Sequence, residues 1–281
     1  MQEKLKRFKD YLNVLGLSSK TVAAYISDIR QFLNAHGENE NLTQENITDY
    51  LLQYSNATTR ARKRSALLAY ARFINDEHAV ATLSAMRIKL PHRLPRPIPA
   101  DKVREIMAIA SQVEAAGGER HIGLTAAVGL MLYVGLRASE VLSLRINDFN
   151  LSEKTFRVRG KGNKERVLPI PDKLMRILKN AIRRKKDIVS LGRYSAKRDN
   201  NPENPLLYSP TYRTFERKIK EIGILAGVDL VSHMLRHTAA THALQKTGNL
   251  RTVQKLLGHK DPRSTAIYTK VTVEDLRKAV D

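Results

Sequence analysis

The 281-residue sequence contains no cysteine, which excludes both a disulfide framework and a thiolate metal site. It also lacks a long hydrophobic run. The longest apolar stretch, around residues 122–136, is broken by glycines and falls far short of a membrane span. The segment Met1 to Lys9 is charged and has no signal-type apolar core, so the expected location is the cytoplasm, with no membrane partner. Acidic residues are scarce too: 28 Asp and Glu stand against 49 Lys and Arg, a formal charge of +21. Solubility does not require so large an excess, and a polyanion is the first partner to test. A merely solvated basic surface is the alternative.

The excess is uneven. Residues 1–90 carry 13 basic against 9 acidic side chains, and residues 91–281 carry 36 against 19. The length suits two domains better than one. Between Lys89 and Ala100 four prolines, Pro91, Pro95, Pro97 and Pro99, resist both helix and central strand. Residues 89–99 therefore read as a linker between a first domain over 1–88 and a second over 100–281.

In the first domain apolar residues recur at helical spacing: Phe8, Leu12 and Leu15; Val22, Ile26, Ile29 and Leu33; Leu51; then Leu67, Leu68, Ala71 and Ile74. Four helices are predicted. Arg60, Arg62, Lys63 and Arg64 crowd the start of the last one, where the macrodipole disfavours each cation by about 0.3–1 kcal/mol. A phosphate backbone would reverse that penalty, so these four are candidate nucleic-acid contacts.

The second domain opens with a predicted helix at about 101–115, followed by the buried helix 122–134 ended by Gly135. Phe156 and Val158 alternate with Arg157 and Arg159, and Val167 to Ile170 follows a Gly-Lys-Gly-Asn turn. The stretch 155–170 is thus a predicted β-hairpin. Further helices are predicted at 172–186, 212–226, 233–246 and 250–257, and 187–205 as a loop. The fold class is mainly α with a small β-sheet or hairpin.

Arg137 directly follows the buried helix and has Glu140 three residues on, able to fix its orientation. Lys161 and Lys164 compete for the mobile hairpin tip, where backbone approaches a ligand closely. His233 and Arg236 project to one side of a helix with Ser232 as expected N-cap, while His237 and His242 read as structural. His233 and His237 have the i, i+4 spacing of a zinc helix, but the His-Glu-x-x-His pattern is missing and Arg236 would repel the ion. No metal and no cofactor is expected. His259 follows Gly258, and Tyr268 follows a turn at Asp261-Pro262.

Five strings, Gly-Leu-Arg-Ala-Ser-Glu at 135–140, Gly-Lys-Gly-Asn-Lys at 160–164, His-Met-Leu-Arg-His at 233–237, Leu-Gly-His at 257–259 and Tyr268-Thr269-Lys270, occur in that order. Together they resemble the tyrosine recombinase (phage integrase) family, its Xer-type chromosome-dimer resolvases most of all. Ser18 to Tyr25, with Asp28 and Phe32, is similar to the family's N-terminal SAM-like core-binding domain. The resemblance implies a C-shaped clamp on double-stranded DNA, built from that helical domain and a C-terminal mixed α/β catalytic domain.

It implies Tyr268 as nucleophile, giving a 3′-phosphotyrosine and a free 5′-hydroxyl, and Lys161 as the acid that protonates the leaving oxygen. Lysine can release a proton whereas arginine essentially cannot. Arg137 and Arg236 would hold the non-bridging oxygens, with His233 and His259 beside them and Glu140 in support. Lys164, Arg157, Arg159 and Arg166 become phosphate contacts or solvated charges. The implied partners are a dif-like site and three further copies in a homotetramer that passes through a Holliday junction. A translocase or second recombinase is left open. A C-terminal helix at 272–281 would dock on a neighbouring protomer. The competing readings are a type IB topoisomerase and a helix-turn-helix regulator without chemistry.

Overall fold

The computed structural model describes residues 1–37, 42–90, 97–160, 165–194, 199 and 201–258. The chain divides into two units, Met1–Arg93 and Leu94–Asp281. Among the described residues the first unit holds five helices: α1 (Gln2–Val14), α2 (Ser19–His36), α3 (Gln44–Leu52), α4 (Ala57–Phe73) and α5 (Glu77–Ala85). Side-chain caps start four of them. Ser18, Thr43, Asn56 and Asp76 each accept a backbone N–H from the first turn of the helix they precede. The fifth helix was not anticipated from periodicity, because its nine residues bury only Ala79 and Leu83. Phe8, Leu12, Ile29, Phe32, Tyr50, Leu67 and Tyr70 form the core, whereas Leu15 lies outside it, 54% exposed.

Lys63 corrects an expectation. It is not a surface contact but is buried at 2% exposure, on the same stripe of α4 as Ala66, Leu67 and Tyr70. An ammonium has three donors, and here each has an acceptor: Asp28 Oδ1 at 2.9 Å, Gln31 Oε1 at 2.7 Å and the Tyr50 hydroxyl at 2.8 Å. The Tyr54 ring lies 4.1 Å from Nζ. Arg62 also pairs with Asp28. Arg64 turns to the end of α5, donating to the carbonyls of Leu83 and Ser84 at 2.7 and 3.3 Å, where a cation suits the dipole. Arg60 is half-buried.

The second unit is built around α7 (Leu124–Val134), whose residues are buried except Tyr133. It packs against α6 (Ala100–Ala116), α9 (Asp172–Ser190) and α11 (Ser232–Thr247). Gly129 allows the close approach of α9, since a Cβ there would fall 2.5 Å from Leu174 Cδ2. The one-turn α8 (Ala138–Val141) leads to an antiparallel sheet of β1 (Phe149–Asn150), β2 (Thr155–Arg159) and β3 (Glu165–Pro169). Phe156, Val158 and Leu168 face the core while Arg157, Arg159 and Val167 face outward. Val158 pairs with Arg166 across the strands, which puts Arg166 on the inward side. Helices α10 (Tyr212–Leu225) and α12 (Leu250–Leu257) complete the set.

Two segments differ from their sequence assignment. Ile98, placed in the linker, is buried, and its N–H donates to Thr238 Oγ1 at 2.9 Å. Within 187–205, read as loop, α9 continues to Ser190 and Asp199 is a buried pin. Its carboxylate accepts from Arg145 at 3.0 Å, the Tyr194 hydroxyl at 2.7 Å and the Leu206 N–H at 3.0 Å.

The burial of Lys63 separates two roles for it. Lys63→Ala leaves the Asp28 carboxylate with one partner fewer, and removing one member of a buried ion pair costs about 3–5 kcal/mol. Urea unfolding of the full chain should show a loss of about 3 kcal/mol in the N-terminal unit. The salt dependence of nucleic-acid binding should not change, whereas loss of a phosphate contact lowers the log–log slope by about 0.9.

Candidate active site

Helix α7 ends at Gly135, in left-handed conformation at φ +78°, and a Cβ there would meet Leu257 Cδ2 at 2.6 Å. Buried Leu136 follows. Arg137 is then the N-cap of α8, held without a capping acceptor of its own. Glu140, at the third helical position, does the capping in reverse: Oε2 accepts the Arg137 N–H at 2.8 Å and Oε1 accepts Arg137 Nη1 at 3.0 Å. Backbone and side chain of Arg137 are thus tied to one carboxylate, while the side chain remains 40% exposed.

Glu140 itself is 5% exposed and receives more than Arg137. Arg166, from β3, forms a two-pronged bond, Nη1 to Oε1 and Nη2 to Oε2, both at 3.1 Å. Arg236 Nη1 lies 3.8 Å from Oε2. Burial pushes the Glu140 carboxyl up, but the bonds and charges of Arg166 and Arg137 outweigh it, and its pKa is lowered overall. The carboxylate is ionised at neutral pH.

Arg236, from α11, is 4% exposed. Its Nη1 donates to the Gly135 carbonyl at 2.5 Å and its Nη2 to the Leu257 carbonyl at 2.9 Å. Those oxygens terminate α7 and α12, where unpaired carbonyls concentrate negative dipole charge. Sequence reasoning gave Arg236 to a phosphate alone. The structure shows it holding two helix ends together, with Glu140 Oε2 3.8 Å away.

Ser232 is the first residue of α11 rather than its N-cap, which is Val231. Its hydroxyl donates to Glu216 Oε1 instead. His233 is exposed at the start of the helix, 5.3 Å from the His237 ring centre and edge to face with it. Partial burial and the charges of Arg236 and Arg137 lower the His233 pKa, against the opposing pull of Glu216. His237 is lowered to about 4 by burial, His233 and Arg236. Both imidazoles are neutral at neutral pH. Among the described residues no three His, Asp or Glu side chains converge as a metal-binding set.

The structure therefore brings together Arg137, Glu140, Arg236 and, at the edge, His233. Arg166 joins them as a residue whose role sequence reasoning misjudged: both its terminal nitrogens are on Glu140 and its side chain is only 18% exposed. The inward positions Leu168 and Ile170 carried the signal, since alternation places Arg166 on their side of the strand. Arg157 and Arg159 are exposed, and both pair with Glu165, at 3.5 and 3.0 Å. Lys161, Lys164, His259, Tyr268 and the expected helix at 272–281 lie outside the described residues.

Residues 96–275 match the phage integrase family, and residues 5–78 match the phage integrase N-terminal SAM-like domain. Tyrosine recombinase XerA of Pyrococcus furiosus is 32% identical to this chain, over 99% of it and 93% of the relative. Two solved structures share the fold. One is the XerH site-specific recombinase bound to difH substrate in a pre-cleavage complex, with a TM-score of 0.66 and 20% identity over 93% of this chain and 78% of that one. The other is a lambda integrase tetramer bound to a Holliday junction, with a TM-score of 0.69 and 17% identity over 97% and 80%.

The histidine pair gives a pH dependence of definite sign. Above about pH 6.5, His237 is neutral both folded and unfolded. Below that the unfolded chain takes up the proton first, so stability falls as pH drops toward the folded value of about 4. An NMR titration should find the His237 midpoint near 4, and His237→Gln should flatten the stability profile between those two values. A midpoint at or above 6.5 contradicts the described environment.

Proposed function

We propose a mechanism that proceeds from one premise: this chain belongs to the phage integrase family and is a tyrosine recombinase. It cleaves and rejoins DNA at a specific site. The Tyr268 oxygen attacks the scissile phosphorus, the bond from phosphorus to the 5′-oxygen breaks, and a 3′-phosphotyrosine forms. Lys161 delivers the proton that the leaving 5′-oxygen needs. The reverse attack by a 5′-hydroxyl reseals the strand without ATP, because the ester conserves the bond energy.

The observation that carries this reading is the convergence of Arg137 and Arg236 on one buried carboxylate beside a neutral His233. Charge grows on the non-bridging oxygens in the pentacoordinate transition state, and fixed guanidinium groups suit that task. Arg137, open to solvent, donates to them directly. Arg236 adds a positive charge fixed by two helix ends, and His259, the residue after Gly258 in the sequence, donates as well. An unperturbed phenol has a pKa near 10, and this cationic surrounding together with a neutral imidazole favours loss of the Tyr268 proton. With cations already at the phosphate, the reaction needs neither metal nor cofactor.

The assembly is a homotetramer on two DNA segments, exchanging strands in pairs through a Holliday junction. A dif-like site and resolution of chromosome dimers make up the biological setting. The Xer names of the relatives and the lambda integrase tetramer on a junction support this. The exposed Arg157 and Arg159 serve as phosphate contacts, together with Lys164. The domains run 1–88 and 100–281.

Two substitutions test the chemistry. Tyr268→Phe should abolish the covalent protein–DNA adduct on a denaturing gel while binding DNA like the wild type, and an adduct from this variant would falsify the assignment. Lys161→Ala should slow cleavage by about 10²–10⁴-fold, the usual range for a general acid. On a substrate with sulfur at the 5′-bridging position, Lys161→Ala should regain most of that rate, since a thiolate leaves unprotonated. Rescue seen with Lys164→Ala instead would exchange the two lysines.

A further inference from the structure

Glu140 offers about four lone-pair positions in the plane of its carboxylate, and four bonds occupy them. Oε1 accepts Arg137 Nη1 and Arg166 Nη1, and Oε2 accepts the Arg137 N–H and Arg166 Nη2, at 2.8 to 3.1 Å. Arg236 Nη1, at 3.8 Å, stands just beyond hydrogen-bond range. Without Arg166, half the carboxylate would fall vacant in a buried place, and the nearest cation able to fill it is Arg236. That collapse would neutralise one of the charges meant for the phosphate. The local balance of three guanidiniums against one carboxylate would fall to two against one.

Arg166 also joins three stretches of chain. It stands on β3, five residues after Lys161, and reaches Glu140 beside Arg137. Its guanidinium also lies under Gly258, the residue before His259. An ideal Cβ on Gly258 would stand 3.1 Å from Arg166 Cζ and Nη1 and 3.3 Å from Nε. Gly258 has φ +64°, so an added side chain would be strained even without that contact. Arg166 Nε is buried without a hydrogen-bond partner among the described residues. Such an arrangement costs stability, which a purely structural arginine would have little reason to retain.

We infer that Arg166 is a positioning residue: by saturating Glu140 it keeps Arg236 off that carboxylate and fixes the base of the hairpin that carries Lys161. The inference rests on the reading of Arg137 and Arg236 as the phosphate-facing cations. It predicts an effect on the chemical step and not on DNA affinity, the opposite of a phosphate contact.

The test uses the full chain and a duplex that the wild-type protein selects from a random-sequence pool, nicked beside the scissile phosphate so that cleavage is irreversible. Two quantities are read: the affinity with its salt slope, and the first-order rate of adduct formation at saturating protein. Arg166→Gln should leave affinity within about threefold and the slope unchanged, while the rate falls about 100-fold, in the range for loss of one preorganised donor. Arg166→Lys keeps the charge but has no fork for two oxygens, so it should recover only part of the rate. It also covers the case in which the glutamine variant does not fold. Adding Arg166→Gln to Glu140→Gln should slow cleavage little beyond Glu140→Gln alone, because the first residue acts through the second. Weaker binding with a slope lower by about 0.9, wild-type rates, or losses that multiply would each overturn the inference. If the wild type forms no adduct, the recombinase chemistry fails and this inference with it. If only the variants behave like wild type, this inference fails alone.

Discussion

A single ionised carboxylate, Glu140, sets the geometry of the described part of the site. Three arginines from three different elements surround it, arriving from the end of α7, from β3 and from α11. Left alone, guanidiniums this close would repel one another, and the low dielectric of a buried site would enlarge that repulsion. One negative charge among three positive ones holds them together and still leaves an excess of positive charge. The excess is what an anionic substrate meets, and the carboxylate keeps it from pushing the helices apart.

The helices themselves are arranged to serve this centre. Because α7 is buried almost all round, its end is fixed on every side, and the residue two beyond Gly135 inherits that rigidity. The sheet adds a strand whose alternation directs one arginine inward. The first unit uses the same device for another purpose. There Asp28 gathers Lys63 and Arg62 with Tyr50 nearby, and the product is a fixed helix pair, α2 with α4.

Much of the site was legible because its local strings carry their own stereochemistry. Gly135 had to be the left-handed end of a buried helix, and Glu140 stood at the spacing that reaches back to Arg137. The hairpin was plain from Phe156 and Val158. Reading went wrong where a charged residue occupies a buried position. Lys63 shares the stripe of Leu67 and Tyr70, and Arg166 shares the side of Leu168, yet residue type was allowed to overrule periodicity. Both positions were readable in principle. Asp199 was not, because its four donors, Arg145, Tyr194, Asn201 and Leu206, are scattered along the chain and no pattern surrounds it. The short α5 lacked enough apolar positions to show a period. Tyr268, Lys161 and His259 rest on the sequence and the family.

The anchoring of Arg236 has a consequence for how this protein tolerates change. Two of its acceptors are main-chain carbonyls, of Gly135 and Leu257, and no exchange of side chains deletes a carbonyl. A side-chain anchor could be lost in one substitution, whereas these two acceptors persist under any side chain that leaves the helices ending where they do, a condition Gly135 meets only as glycine. What the anchor does not survive intact is a change of register. Inserting or removing one residue near the end of α7 or α12 would rotate the terminal carbonyl by about 100° around the helix axis and take one of these acceptors away from a buried cation. Selection at this anchor should therefore act on where the two helices end, and on residue identity where, as at Gly135, identity sets that end.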